Sequence, residues 1–118
     1  DDQTGASIGA VASAASTNAT SVKGSAGRLL GVHVVNTTDT IYYLRLYNTS
    51  SAPTCSSATG FIATLPIPAS TSGAGFSMNF GPPGLAFATG IGYCITGGAS
   101  STDNTNAAVG IYGVVSYK

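Results

Sequence analysis

The chain has 118 residues, of which four are basic and four acidic, so that charged side chains make up 7% of it and the formal net charge is zero. Ordinary globular domains carry about 25%. Two lysines and two arginines, scattered as Lys23, Arg28, Arg45 and Lys118, cannot form the basic stripe that phosphate binding requires, which excludes nucleic acid as a partner. No basic amphipathic segment suits a membrane surface, and no apolar run approaches the ~18–20 residues of a membrane span.

The start, Asp1-Asp2-Gln3, lacks the basic head and apolar middle of a signal peptide. Residues 1–26 are low in complexity, mostly Ala, Ser, Thr and Gly with isolated Ile8, Val11 and Val22. A weak helix over Ala10–Ala15 has no cap and no apolar anchor. We read this stretch as an extended N-terminal arm that becomes ordered against a neighbour, or as a linker from a longer protein. Residues 27–118 form the folded domain.

From Gly27 the pattern has period two, the signature of strands. Arg28, Leu30, Val32 and Val34 share one parity, and Leu29, His33 and Val35 the other. Asn36–Asp39 is a turn. In the strand Ile41–Asn48, Leu44 and Leu46 share one face, and Tyr43, Arg45 and Tyr47 the other. A loop runs from Thr49 to Gly60. Phe61, Ala63, Leu65 and Ile67 alternate with Ile62, Thr64, Pro66 and Pro68, and the prolines place this strand at a sheet edge. Phe76, Met78 and Phe80 make a half-buried strand before the turn Gly81–Gly84. Leu85, Phe87, Ile91, Tyr93 and Ile95 continue through a break at Gly90. After the polar loop Gly97–Asn106, a last strand over Ala107–Lys118 sets Val109, Ile111 and Val115 against Tyr112 and Val114.

Seven or eight short strands with turn signals between them predict an all-β fold. The economical architecture is an antiparallel β-sandwich, jelly-roll-like, of two packed sheets. The strands over Gly27–Val35 and Ala107–Tyr117 are apolar on both faces. One such face belongs in the core and the other against a partner, which predicts an oligomer, expected to be a homotrimer.

Catalytic chemistry finds little support. His33 is the sole histidine, flanked by Val32 and Val34, and reads as a packed or hydrogen-bonded residue. Asp39 and Asp103 lie in turn sequences where a carboxylate caps its own backbone. Asp103-Asn104-Thr105 offers too few carboxylates for calcium. The glycines at 81–84 and 97–98 precede no helix and cradle no phosphate. We therefore expect no enzyme, no cofactor and no metal. Cys55 and Cys94 either pair in a disulfide or remain as two thiols; spacing does not decide. Asn-x-Ser/Thr triplets begin at Asn18, Asn36 and Asn48, as expected by chance in such a composition. Tyr42, Tyr43 and Tyr47 around Arg45 form the densest aromatic cluster, read either as interface anchors or as core with hydroxyls at the surface. The candidate interface set is Ile8, Val11, Val22, Tyr42, Tyr43, Arg45, Tyr47 and Tyr112.

Four stretches carry a resemblance: Thr17–Gly27 (TNATSVKGSAG), Tyr42–Thr54 (YYLRLYNTSSAPT), Leu65–Pro68 (LPIP), and Gly84–Gly90 (GLAFATG) running into Ile95–Gly98 (ITGG). In this order and spacing the chain resembles small structural proteins of tailed-phage and prophage virions. The resemblance implies a β-sandwich on the outer capsid surface, most simply a capsid decoration (cement) protein assembled in the host cytoplasm. Its implied partners are copies of itself and the major capsid protein. A tail or head fibre, or receptor-binding module, is the neighbouring reading; a secreted adhesin or filament subunit is a third. Cys55 and Cys94 stand outside the shared pattern, and no catalytic residue comes with it.

Overall fold

The computed structural model describes residues 5–118. Among these residues nine strands are divided between two antiparallel sheets: β1 (Ser7–Ala12), β2 (Thr20–Lys23), β3 (Gly27–Asn36), β4 (Tyr42–Asn48), β5 (Phe61–Ile67), β6 (Gly75–Asn79), β7 (Leu85–Phe87), β8 (Ile91–Thr96) and β9 (Ile111–Tyr117). The first sheet has the order β1-β9-β3-β6, with β7 also paired to β3; the second has the order β2-β8-β4-β5. A single 3-10 turn at Ser70–Ser72 is the only helical element among the described residues.

Period-two alternation explains the core. The first sheet contributes Val11, Leu29, Val32, Val34, Ile111 and Val115. The second supplies Leu44, Leu46, Ile67, Ile91, Tyr93 and Ile95. Each of these side chains is withdrawn from water, and together they form one continuous apolar layer between the sheets. The strand carrying Pro66 is β5, and it lies at an edge, as its prolines require.

Three expectations are corrected. Strict alternation groups Leu30 with Val32 and Val34, yet it is Leu29 that enters the core, fully buried. A register shift between Leu29 and Gly31 inserts one residue and inverts the phase of the strand behind it. Val109 was placed in the last strand, but β9 begins only at Ile111 and Val109 stands 61% exposed. The segment read as an arm also changes character over residues 5–26: β1 pairs with β9 from Ser7↔Tyr117 to Ala12↔Tyr112, and β2 pairs with β8. The part of that reading that falls on residues 1–4 lies outside the described residues.

Between β1 and β2 the chain crosses from one sheet to the other with its backbone satisfied. The Ser13 N–H donates to the Ile111 carbonyl at 2.9 Å, and the Ile95 N–H to the Thr17 carbonyl at 2.9 Å. Ser13 Oγ donates to the Ala108 carbonyl at 2.6 Å and accepts the Ile111 N–H at 3.0 Å. The inward positions of β1 are small because the sheet comes close: a Cβ on Gly9 would lie 3.2 Å from Val115 Cγ2.

Candidate interaction surface

The two outer faces of the sandwich differ sharply. On the second sheet, Arg45 lies opposite Cys94 in the β4–β8 ladder. Both side chains point away from the core, and the 49–60 and 97–106 loops close over them. Cys94 is joined to Cys55 by a disulfide with a Cα–Cα distance of 6.1 Å. The Arg45 guanidinium donates to the Cys55 carbonyl at 2.8 Å, to the Asp103 carbonyl at 2.6 Å, and to the Ser100 carbonyl. It is fully buried, and its Nε–H has no hydrogen-bond partner among the described residues. Tyr47 lies beside it, with the guanidinium carbon 5.7 Å from the ring centroid. Phe61 meets Tyr47 edge-on at 5.8 Å, completing a small second core with the disulfide.

This packing shifts two groups. Burial pushes the Tyr47 hydroxyl above its ordinary value, although the Arg45 charge pulls the other way. Asp103 is held below the usual carboxylate range, chiefly by the Thr105 hydroxyl; partial burial opposes this, and the Thr105 and Gly98 amides and the Arg45 charge add to it. Asp103 Oδ1 accepts the Thr105 hydroxyl at 2.5 Å and the Thr105 N–H at 2.9 Å, so the carboxylate caps its own turn.

Arg45 and Tyr47 are therefore not surface anchors; they hold loops to a sheet. The other candidates divide as well. Val11 is core, and Val22 and Tyr42 pack against it. Tyr43 is half-buried on the outer side of β4. Ile8 and Tyr112 are exposed, at 68% and 45%. The three glycosylation triplets prove structural. Asn36 is fully buried and its Nδ2 donates to the Thr40 and Ile67 carbonyls. Asn48 Oδ1 accepts the Thr89 and Gly90 amides, and Asn18 Nδ2 donates to the Ala14 and Ser16 carbonyls.

The outer face of the first sheet has no such cover. Ladder pairs Ala12↔Tyr112, Tyr112↔Val35, Ala10↔Val114, Val114↔His33 and Ile8↔Ser116 place these residues on one surface. From β1 across β9 and β3 to β6, the outward positions are aliphatic, aromatic, small or neutral polar, except Arg28 near the start of β3, which lies with Lys118 at one end of the sheet. His33 Nδ1 and Ser77 Oγ are 2.5 Å apart, joining β3 to β6 across this surface. Val35 was readable from the second parity of its strand and is 44% exposed. No group of three or more His, Cys, Asp or Glu residues able to hold a metal occurs among the described residues.

Comparison with protein-family models, curated proteins and solved structures finds no match to the chain.

Proposed function

We propose that this chain is a virion structural subunit, a capsid decoration protein that docks on the outer surface of a phage shell and stabilises it without catalysing a reaction. One observation carries the reading: the first sheet presents a four-strand outer face whose formal charge is confined to Arg28 and Lys118 at one end, with Ile8, Val35 and Tyr112 exposed, while the centre of the second sheet's outer face is covered by its own loops. A surface of this composition binds through buried area and shape, not through charge steering.

We also read the sandwich as a jelly roll. In its support, β1 pairs with β9, β2 with β8, β3 with β6 and β4 with β5. With the short β7 set aside, this is a long antiparallel ribbon wound on itself, a form found in viral capsid and lectin domains.

The test is sedimentation of purified protein with shells that lack it. Binding that saturates at fixed lattice positions and persists in about 0.5 M NaCl, where exposed charges are screened, is the expected result. Release by that salt, or binding to host cells in place of shells, would overturn it in favour of a charge-driven contact or a receptor-binding module.

A further inference from the structure

The open edge of β1 has a geometry that selects a partner. In an antiparallel ladder, directly opposed residues alternate between pairs that exchange hydrogen bonds and pairs that do not. The Ser13 N–H donates to Ile111, which continues the pairs Val11↔Gly113, Gly9↔Val115 and Ser7↔Tyr117. The odd residues of β1 therefore bond to β9. Ile8, Ala10 and Ala12 direct their N–H and C=O groups away from the sheet, at the end of the strand order. All three are exposed.

The other edges are blunted or shorter, as suits natural sheets. β5 contains Pro66, and Pro68 follows it. β2 is four residues long, carries Lys23 and has a register shift between Ser21 and Lys23. Along the far side of β3, the turn with Pro82 and Pro83 interrupts the edge between β6 and β7. β6 is uncharged too but runs only five residues; β1 is the longest such edge among the described residues, six residues in unbroken register with no charge, proline or bulge.

We propose that β1 pairs with β1 of a second copy, antiparallel about a two-fold axis at Ala10, to make one continuous sheet. Three features choose a second copy over another partner. The outward-bonding set is symmetric about Ala10, so Ala10 meets Ala10 and Ile8 meets Ala12 in both directions, each as a hydrogen-bonding pair. Side chains at these positions lie on the same outer face, where Ile8 covers the small Ala12 of the partner copy. The strand is uncharged, so identical copies meet without repulsion. The register joins the two outer faces edge to edge and doubles the surface described above. The pairing does not depend on the virion reading, because it is measured on the protein alone.

The test uses the whole chain. Cys55 and Cys94 are paired and no free cysteine is present, so one added thiol reports alone. Across the axis, Ala10→Cys brings Cα atoms to about 5.5 Å, within disulfide reach. Ala12→Cys leaves them about 14 Å apart. Expected are a native mass of two chains, rapid oxidation of the Ala10→Cys variant to a covalent dimer, and little cross-linking of Ala12→Cys. Ala10→Pro removes an outward N–H without touching the β9 ladder and should reduce the mass to one chain with the fold retained. Should that variant fail to fold, Ile8→Lys, which brings charge to the same edge, should give the same loss. A single-chain or three-chain mass in the native protein, or equal cross-linking at positions 10 and 12, overturns the proposal.

Discussion

Arg45 and Cys94 face each other across the β4–β8 ladder, and their side chains leave the sheet together to hold the 49–60 loop, with Arg45 also reaching the 97–106 loop. The disulfide ties the 49–60 loop through Cys55, while the guanidinium bonds a carbonyl of that loop and two of the 97–106 loop. A buried arginine whose acceptors are backbone carbonyls acts as a cross-brace. Its rigid planar fork spreads donors from two nitrogens over both loops, where an ammonium would offer three from a single point.

Replacing Arg45 with Met keeps much of the volume and removes every donor. Three carbonyls lose their partner, at about 1–3 kcal/mol for each that stays buried. Relief of the buried charge offsets part of this. We expect Arg45→Met to lower the unfolding free energy by about 3 kcal/mol in urea titration. Amide exchange should rise first at residues 97–106. An unchanged midpoint would show that water replaces the guanidinium.

Reduction of Cys55–Cys94 acts mainly on the unfolded chain. The bridge closes a loop with a sequence separation of 39, for which chain entropy gives about 4 kcal/mol. The double variant Cys55→Ala, Cys94→Ala should therefore lose roughly 3–4 kcal/mol while the two-sheet core persists. Far-ultraviolet dichroism before and after substitution checks the core, and denaturant midpoints check the loss. Because Arg45 and the disulfide share loops, the combined loss in a triple variant should fall short of the sum.

The loop capped by Asp103 should respond to acid. Its folded value lies below the ordinary carboxylate value of about 3.9. The bonds to Thr105 thus contribute fully above that ordinary value and are lost as pH falls through the lowered one. The site is solvent-exposed, so the effect on global stability is small. Exchange at the Thr105 amide should accelerate over this acid window, and Asp103→Asn should abolish the step. A step at neutral pH would point to another group.

Much of the fold was legible because side chains large enough to show a period lie on the inner strands. Val32 with Val34, Leu44 with Leu46, and Phe76 with Met78 each marked a core face that the sandwich uses. β1 and β2 show no period because their inward positions are Ser7, Gly9 and Thr20, with Val11 and Val22 as the only large apolar ones. Leu29 was misplaced by a one-residue bulge, which pattern reading cannot locate. Arg45 and Tyr47 occupy outward strand positions as expected, but the loops above them are a tertiary fact. Nothing local to Tyr42–Asn48 indicates that Cys55 and the 97–106 loop fold over it. Their open counterparts, Val35 and Tyr112, follow from alternation alone.

Val35 and Tyr112 form a ladder pair in the middle of the uncovered face, at 44% and 45% exposure, and they discriminate between the faces. A lysine at Val35 can lay its stem along Tyr112 and keep its ammonium in solvent in the free protein, so its effect on stability should stay within about 0.5 kcal/mol. Against a partner the ammonium would have to lose its hydration without an acceptor, which disfavours the bound state strongly. We expect Val35→Lys to weaken attachment to shells at least about tenfold, equivalent to roughly 1.4 kcal/mol. Ile62, 43% exposed in β5 of the other sheet, supplies the control, since Ile62→Lys changes hydrophobicity equally on a different surface. If Ile62→Lys alone abolishes attachment, the docking surface lies on the disulfide-strapped sheet. Loss in both variants with an unchanged melting temperature would mean that shells contact both sheets.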